Sequence, residues 1–153
     1  MSNETPKEAA RRFSKSVLDD GFEPVALHEY TDENGKVLYW RIRCKHPVTK
    51  EKTIKPMRLG PVSYELKEPK FPNGKPLYGL CRLVANPNQV VWVVEGEQKA
   101  DELNKLGLIA TTSGALLCTQ GSTVLSVFIV KKLLGVGRCS PSRINGRILW
   151  GNY

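Results

Sequence analysis

Residues 90–101 read Val-Val-Trp-Val-Val-Glu-Gly-Glu-Gln-Lys-Ala-Asp and decide the fold. The first five are apolar and mostly β-branched, which is typical of a strand covered on both faces. Gly96 permits a sharp turn, and the residues after it predict a helix over 97–106. We expect the apolar residues of this helix to face inward: Ala100, Leu103 and Leu106. Glu95 then lies at the carboxyl end of a buried strand, where open α/β sheets bind their ligands.

The neighbouring segments predict how this strand and helix are completed. Residues 109–112 follow the helix and predict the second strand of a βαβ unit. Upstream, residues 25–30 and 37–44 predict two strands on either side of an Asn-Gly hairpin signal, and residues 53–59 predict a third. The predicted fold class is therefore α/β, or α+β for the chain as a whole, with a small antiparallel β subdomain before a partial βαβ unit.

The chain begins with a predicted amphipathic helix. Residues 5–8, Thr-Pro-Lys-Glu, form a capping box with proline at the first helical position, and the helix extends over 6–20. Four segments follow from these patterns: an N-terminal helix (1–22), a β-rich subdomain with a connector (23–84), the partial βαβ unit (85–115) and a basic, apolar tail (116–153).

Charge is distributed unevenly along the chain. The net charge of +8 comes from 23 basic and 15 acidic residues among 153. No acid lies within 103–153, whereas six basic residues do: Lys105, Lys131, Lys132, Arg138, Arg143 and Arg147. The basic excess belongs mainly to the end of the chain, so it is weak evidence that the earlier part binds nucleic acid.

Cysteine spacing and hydropathy exclude several classes of protein. The cysteines have no close pair of the kind that zinc sites use, which predicts no zinc and reduced thiols: Cys44, Cys81, Cys118 and Cys139. Residues 124–130 form an apolar run that is too short to span a bilayer, and they predict either a buried strand or part of an irregular tail. With no secretory signal pattern, we expect a cytoplasmic protein that does not act on membranes.

The predicted second strand alternates strictly. Leu38, Trp40, Ile42 and Cys44 share one face, and Tyr39, Arg41, Arg43 and Lys45 share the other. An aromatic side chain among cations is a common way to hold single-stranded nucleic acid. The candidate binding residues are Tyr39, Arg41 and Arg43, with Lys55 and Arg58 from the third strand. A solvated outer face of the sheet is the alternative.

Residues 93–101 resemble the first motif of the Toprim domain, a metal-dependent fold of primases, topoisomerases and related nucleases. The resemblance continues through residues 101–115, Asp-Glu-Leu-Asn-Lys-Leu-Gly-Leu-Ile-Ala-Thr-Thr-Ser-Gly-Ala, and covers roughly 23–115. This part of the chain is similar to the Toprim region of phage- and plasmid-type primases and primase-helicases. Three upstream segments also resemble the region that precedes it: residues 38–43, 55–59 and 75–78.

The resemblance implies a catalytic, metal-binding role for Glu95 together with an Asp-x-Asp pair on a later strand. Such carboxylates would hold Mg²⁺ for phosphoryl transfer. The chain has no acid after Glu102, so the pair is absent, and we expect that Mg²⁺ is not bound stably. Glu97 and Asp101 are additional acids, which we interpret as surface residues. His28 and His46 have no close partner in the sequence and are interpreted as structural.

Three functions are consistent with these patterns. The first is a Toprim-like fragment of a DNA primase, linked to DNA replication, inactive alone and associated with a helicase partner or domain. The second is a non-catalytic module that binds single-stranded DNA or RNA weakly. The third is an interaction protein in which the strand-turn-helix unit is structural. Two explanations of residues 116–153 also stay open: a truncated or frame-disrupted copy, and a divergent tail.

Overall fold

The computed structural model describes residues 4–72 and 74–112, together with the backbone of three short strands nearer the C-terminus. The elements in chain order are α1 (Pro6–Asp19), β1 (Glu23–Thr31), β2 (Val37–Lys45), β3 (Lys52–Leu59), β4 (Tyr64–Glu65), α2 (Leu80–Ala85), β5 (Val91–Val93), α3 (Glu97–Lys105), β6 (Ile109–Thr111), β7 (Phe128–Val130), β8 (Ser142–Ile144) and β9 (Arg147–Leu149).

The first four strands form an antiparallel sheet in the order β1-β2-β3-β4. Helix α1 packs on one face of this sheet, where Ala9 and Ala10 meet Trp40, Ile42 and Met57 in the main hydrophobic core. The predicted alternation of β2 is confirmed, because its apolar face is the one that the helix covers. The predicted capping box is confirmed as well: the backbone N–H of Glu8 donates to the Thr5 hydroxyl, and the Glu8 carboxylate accepts from the Thr5 N–H at 2.7 Å.

The second sheet contains the predicted strand-turn-helix-strand unit. Strand β5 lies between β6, to which it is parallel, and β7, to which it is antiparallel. Helix α3 covers this sheet through a small cluster in which Ala100 meets Val94 and Ala110. Leu106 was predicted to face inward, and this is wrong: it is 76% exposed, because the helix ends at Lys105 and the chain turns through Gly107 at a φ of 81°.

The structure therefore has an α+β fold with an antiparallel sheet and a smaller, partly parallel one, as predicted. The burial of residues 124–130 lies outside the described side chains, although Phe128–Val130 is a strand. Within the described residues, no helix is both long and apolar enough to cross a bilayer.

We expect Met57→Ala to lower the free energy of unfolding by about 2–5 kcal/mol, because Met57 is fully buried beneath α1 and its loss leaves a cavity. Urea denaturation measures this change. The matched control is Leu59→Ala, two residues further along β3, where the side chain is 62% exposed. Equal losses of stability in the two variants would contradict this placement of the core.

Candidate functional site

Glu95 lies just beyond β5, at the carboxyl edge of the smaller sheet. Its side chain is 63% exposed, and its carboxylate accepts a hydrogen bond from Nζ of Lys99 at 3.2 Å. Gly96, at a φ of 80°, donates its N–H to the hydroxyl of Thr112, which follows β6. This bond joins the carboxyl ends of the two parallel strands, so Glu95 is presented to solvent at the edge where such sheets bind ligands.

The described residues do not fit a magnesium site. Mg²⁺ requires octahedral oxygen coordination and is held through carboxylates and substrate phosphates. Glu95 is paired with a lysine, and the part of the chain that the structure describes contains no cluster of three or more histidine, cysteine or acidic side chains that could hold a metal. One exposed carboxylate beside a cation is a poor cation ligand.

Glu97, two residues later, is buried. It is 4% exposed, and its Oε1 accepts a hydrogen bond from the Tyr30 hydroxyl at 2.6 Å and another from Nη1 of Arg41 at 2.9 Å. The interpretation of Glu97 as a surface residue is therefore wrong. Glycine at the preceding position turns the chain so that the first residue of α3 faces the antiparallel sheet.

The protonation states of this cluster follow from its contacts. Burial alone would raise the pKa of Glu97, but hydrogen bonds from Tyr30 and its own backbone, with the positive charge of Arg41, hold it below the ordinary value. Burial and the hydrogen bond to Glu97 raise the pKa of Tyr30 far above its usual range. Glu97 is thus an anion at neutral pH, and Tyr30 is a permanent donor.

The sheet face predicted to bind nucleic acid is covered. Tyr39 is fully buried, with its ring stacked on Tyr30 at a centroid distance of 4.5 Å and tilted against Phe71 at 5.6 Å. Arg41 is paired with Glu97 and also lies 3.5 Å from a carboxylate oxygen of Glu68. The expectation of an open face is wrong for these two residues, because Glu97 at the start of α3 and residues of the connector pack against them.

The other three candidate residues also do not form an open basic surface with Tyr39 and Arg41. Lys55 lies on the opposite face of the sheet, paired with Ile42 in register, and its Nζ donates to the backbone oxygen of Phe13 at 3.2 Å. Arg58 forms a salt bridge with Glu65 at 3.0 Å. Arg43 is half-buried, and its Nε has no hydrogen-bond partner among the described residues. The structure does not bring the five residues together on one surface, and nucleic-acid binding by them stays a prediction.

A second polar cluster lies one helical turn further along α3. Asp101 accepts a hydrogen bond from the Tyr78 hydroxyl at 2.8 Å, and Nδ1 of His28 lies 3.1 Å from its other carboxylate oxygen. Sequence analysis found no partner for His28, since the three residues are widely separated along the chain. Two features of the sequence indicate that these side chains could meet. His28 and Tyr30 share a face of β1, and Glu97 and Asp101 are four residues apart and so share a face of α3.

Comparisons with protein-family models, with curated proteins and with solved structures found no match.

We expect Glu97→Gln to lower the free energy of unfolding by about 3 kcal/mol near pH 7, because it removes the negative charge that balances the buried Arg41. The folded pKa of Glu97 is lowered, so the wild-type advantage is fully present above the ordinary value of 4.5 and is lost as the pH falls through the folded value.

Urea denaturation of both proteins between about pH 7 and about pH 3 measures this dependence. The stability difference should shrink towards the acid end. Glu102→Gln is the control, since Glu102 is an exposed carboxylate on the same helix at 62% exposure. A difference that is independent of pH would mean that the charge of Glu97 is not what stabilises the structure.

Proposed function

We propose that this chain is a Toprim-like module of the phage- and plasmid-type DNA primase class, acting in the cytoplasm in DNA replication. Its partners are single-stranded nucleic acid and a replicative helicase. By itself it neither synthesises nor cleaves strands. The observation that supports this proposal is the exposed Glu95 at the carboxyl edge of the parallel β5–β6 pair, the position of the family glutamate.

The local geometry favours a ligand-binding edge over a purely structural turn. Glu95 is held at the edge by two features: the Gly96–Thr112 hydrogen bond behind it and the buried Glu97 after it. Yet its own carboxylate contacts only the exposed Lys99 among the described residues. A turn that served packing alone would not need an acid that is 63% exposed at this position.

The lack of activity in the isolated chain follows from charge. Phosphoryl transfer in this family needs several carboxylates to hold the metal ions that neutralise the transferring phosphate. Here Glu95 belongs to no group of three or more histidine, cysteine or acidic side chains among the described residues, and the sequence has no acid after Glu102. The chain therefore cannot supply the positive charge that the chemistry requires.

We expect purified protein to show no primer synthesis and no strand cleavage with Mg²⁺, at the level of a blank, in gel assays with labelled single-stranded DNA. Glu95→Gln and Glu102→Gln should be indistinguishable from wild type. Mg²⁺-dependent synthesis or cleavage that is lost in Glu95→Gln and kept in Glu102→Gln would contradict the proposed inactivity.

We expect Glu95→Gln to strengthen binding of single-stranded DNA by about threefold at low salt, because the substitution removes a carboxylate that repels a nearby phosphate and frees the Lys99 ammonium. Fluorescence anisotropy of a labelled oligonucleotide measures the affinity. The control is again Glu102→Gln, which removes the same charge from α3 at nearly the same exposure, 62% against 63%.

Equal effects of the two substitutions would show that only net charge matters and that the strand does not pass along the edge at Glu95. That result would contradict the proposed nucleic-acid site at Glu95.

A further inference from the structure

A cavity of about 370 Å³ opens between β1, α2 and α3. It lies along the later turns of α3, beyond the edge that carries Glu95. The wall includes the His28–Asp101 pair, the cations Arg82 and Lys105, and the amide of Gln98. Its volume falls within the range of sites that bind small molecules, and a few convergent polar groups are typical of such sites.

One side of the cavity is a rigid acceptor. Asp101 is held by the Tyr78 hydroxyl at 2.8 Å and by Nδ1 of His28 at 3.1 Å. Burial, together with the hydrogen bond to Asp101, raises the pKa of Tyr78, so this hydroxyl stays a donor. The Asp101 side chain is nevertheless 35% exposed, and a carboxylate accepts about four hydrogen bonds in all. Asp101 can therefore accept further donors from a ligand.

One other group in the wall is not used by the described residues. The guanidinium of Arg82 has no hydrogen bond or ion pair with them, whereas Lys105 is neutralised by Glu102 at 2.7 Å. Among the described residues, Arg82 is therefore the cation of this wall that remains available to bind an anion.

We propose that this cavity binds a ribose phosphate. Arg82 would take the phosphate through the paired N–H groups that suit its geometry. Asp101 would accept the ribose hydroxyls, a role that acidic residues have in nucleotide-binding folds. A simple inorganic anion fits this cavity less well. The Asp101 carboxylate would repel it, and the anion has no ribose hydroxyls for that carboxylate to accept. The inference is independent of the proposed function, because Glu95 takes no part in the cavity.

The test is an NMR titration of the full chain with adenosine 5′-monophosphate. Saturable shifts are expected at His28, Asp101 and Arg82. Arg82→Gln should weaken binding at least about tenfold, the loss expected for a charge-assisted hydrogen bond. Because Arg82 is exposed, this substitution does not disturb the core. Arg11→Gln, an exposed arginine on α1, should leave the affinity unchanged.

Further ligands separate the contribution of the phosphate from that of the nucleoside. Adenosine, which lacks the phosphate, should bind wild type and Arg82→Gln equally weakly, and inorganic phosphate should bind more weakly than the nucleotide. A short RNA with a 5′ phosphate identifies the source: tighter binding at the same residues indicates a strand end, and no binding there indicates a free nucleotide. The proposal is overturned if Arg82→Gln binds the nucleotide as wild type does, or if inorganic phosphate binds as well as the nucleotide.

Discussion

The structure depends on one buried carboxylate. Glu97 is the first residue of α3, yet it reaches the antiparallel sheet and takes hydrogen bonds from Tyr30 on β1 and Arg41 on β2. Removing a carboxylate and a guanidinium from water is expensive, and good geometry with further hydrogen bonds is needed to offset the cost. The cluster meets that condition, because Glu68 lies at 3.5 Å from the same guanidinium and the Tyr30 ring lies 5.3 Å from its centre. This charged, hydrogen-bonded cluster joins α3 to the antiparallel sheet.

This constraint also explains why the face of β2 that carries cations does not resemble an open nucleic-acid surface. The side chains of Tyr39 and Arg41 can stack and form ion pairs in two ways. They can do so with a bound ligand, or with other parts of the protein itself. Here Tyr30 and Phe71 take the ring of Tyr39, and acids take the guanidinium. Alternation along a strand shows which residues share a face, but it does not show what covers that face.

What the sequence predicts correctly depends on local contacts, and what it misses depends on contacts between residues far apart in the chain. The capping box at Thr5, the alternation of β2 and the β5–α3–β6 unit depend on neighbours a few residues apart, and all were predictable. The Tyr30–Glu97 hydrogen bond joins residues 67 positions apart. Nothing local distinguishes a Glu that will be buried by such a contact from the exposed Glu95 two residues earlier. Gly96, which lies between them, is a local hint, because glycine readily adopts the positive φ that the chain has at this turn.

Three acids on and just before α3 are in three different states, and the buried Glu97 positions the other two. The buried Glu97 fixes the first turn, so Glu95 before it is confined to the sheet edge, while Asp101 one turn later faces His28 and Tyr78. The exposed Glu95–Lys99 pair contributes little to stability, since both side chains are more than half exposed. Glu95 can therefore lose its lysine partner at almost no cost to the fold, whereas the loss of the Glu97 contacts would be costly. Burial decides which of these acids builds the structure and which stays exposed to solvent.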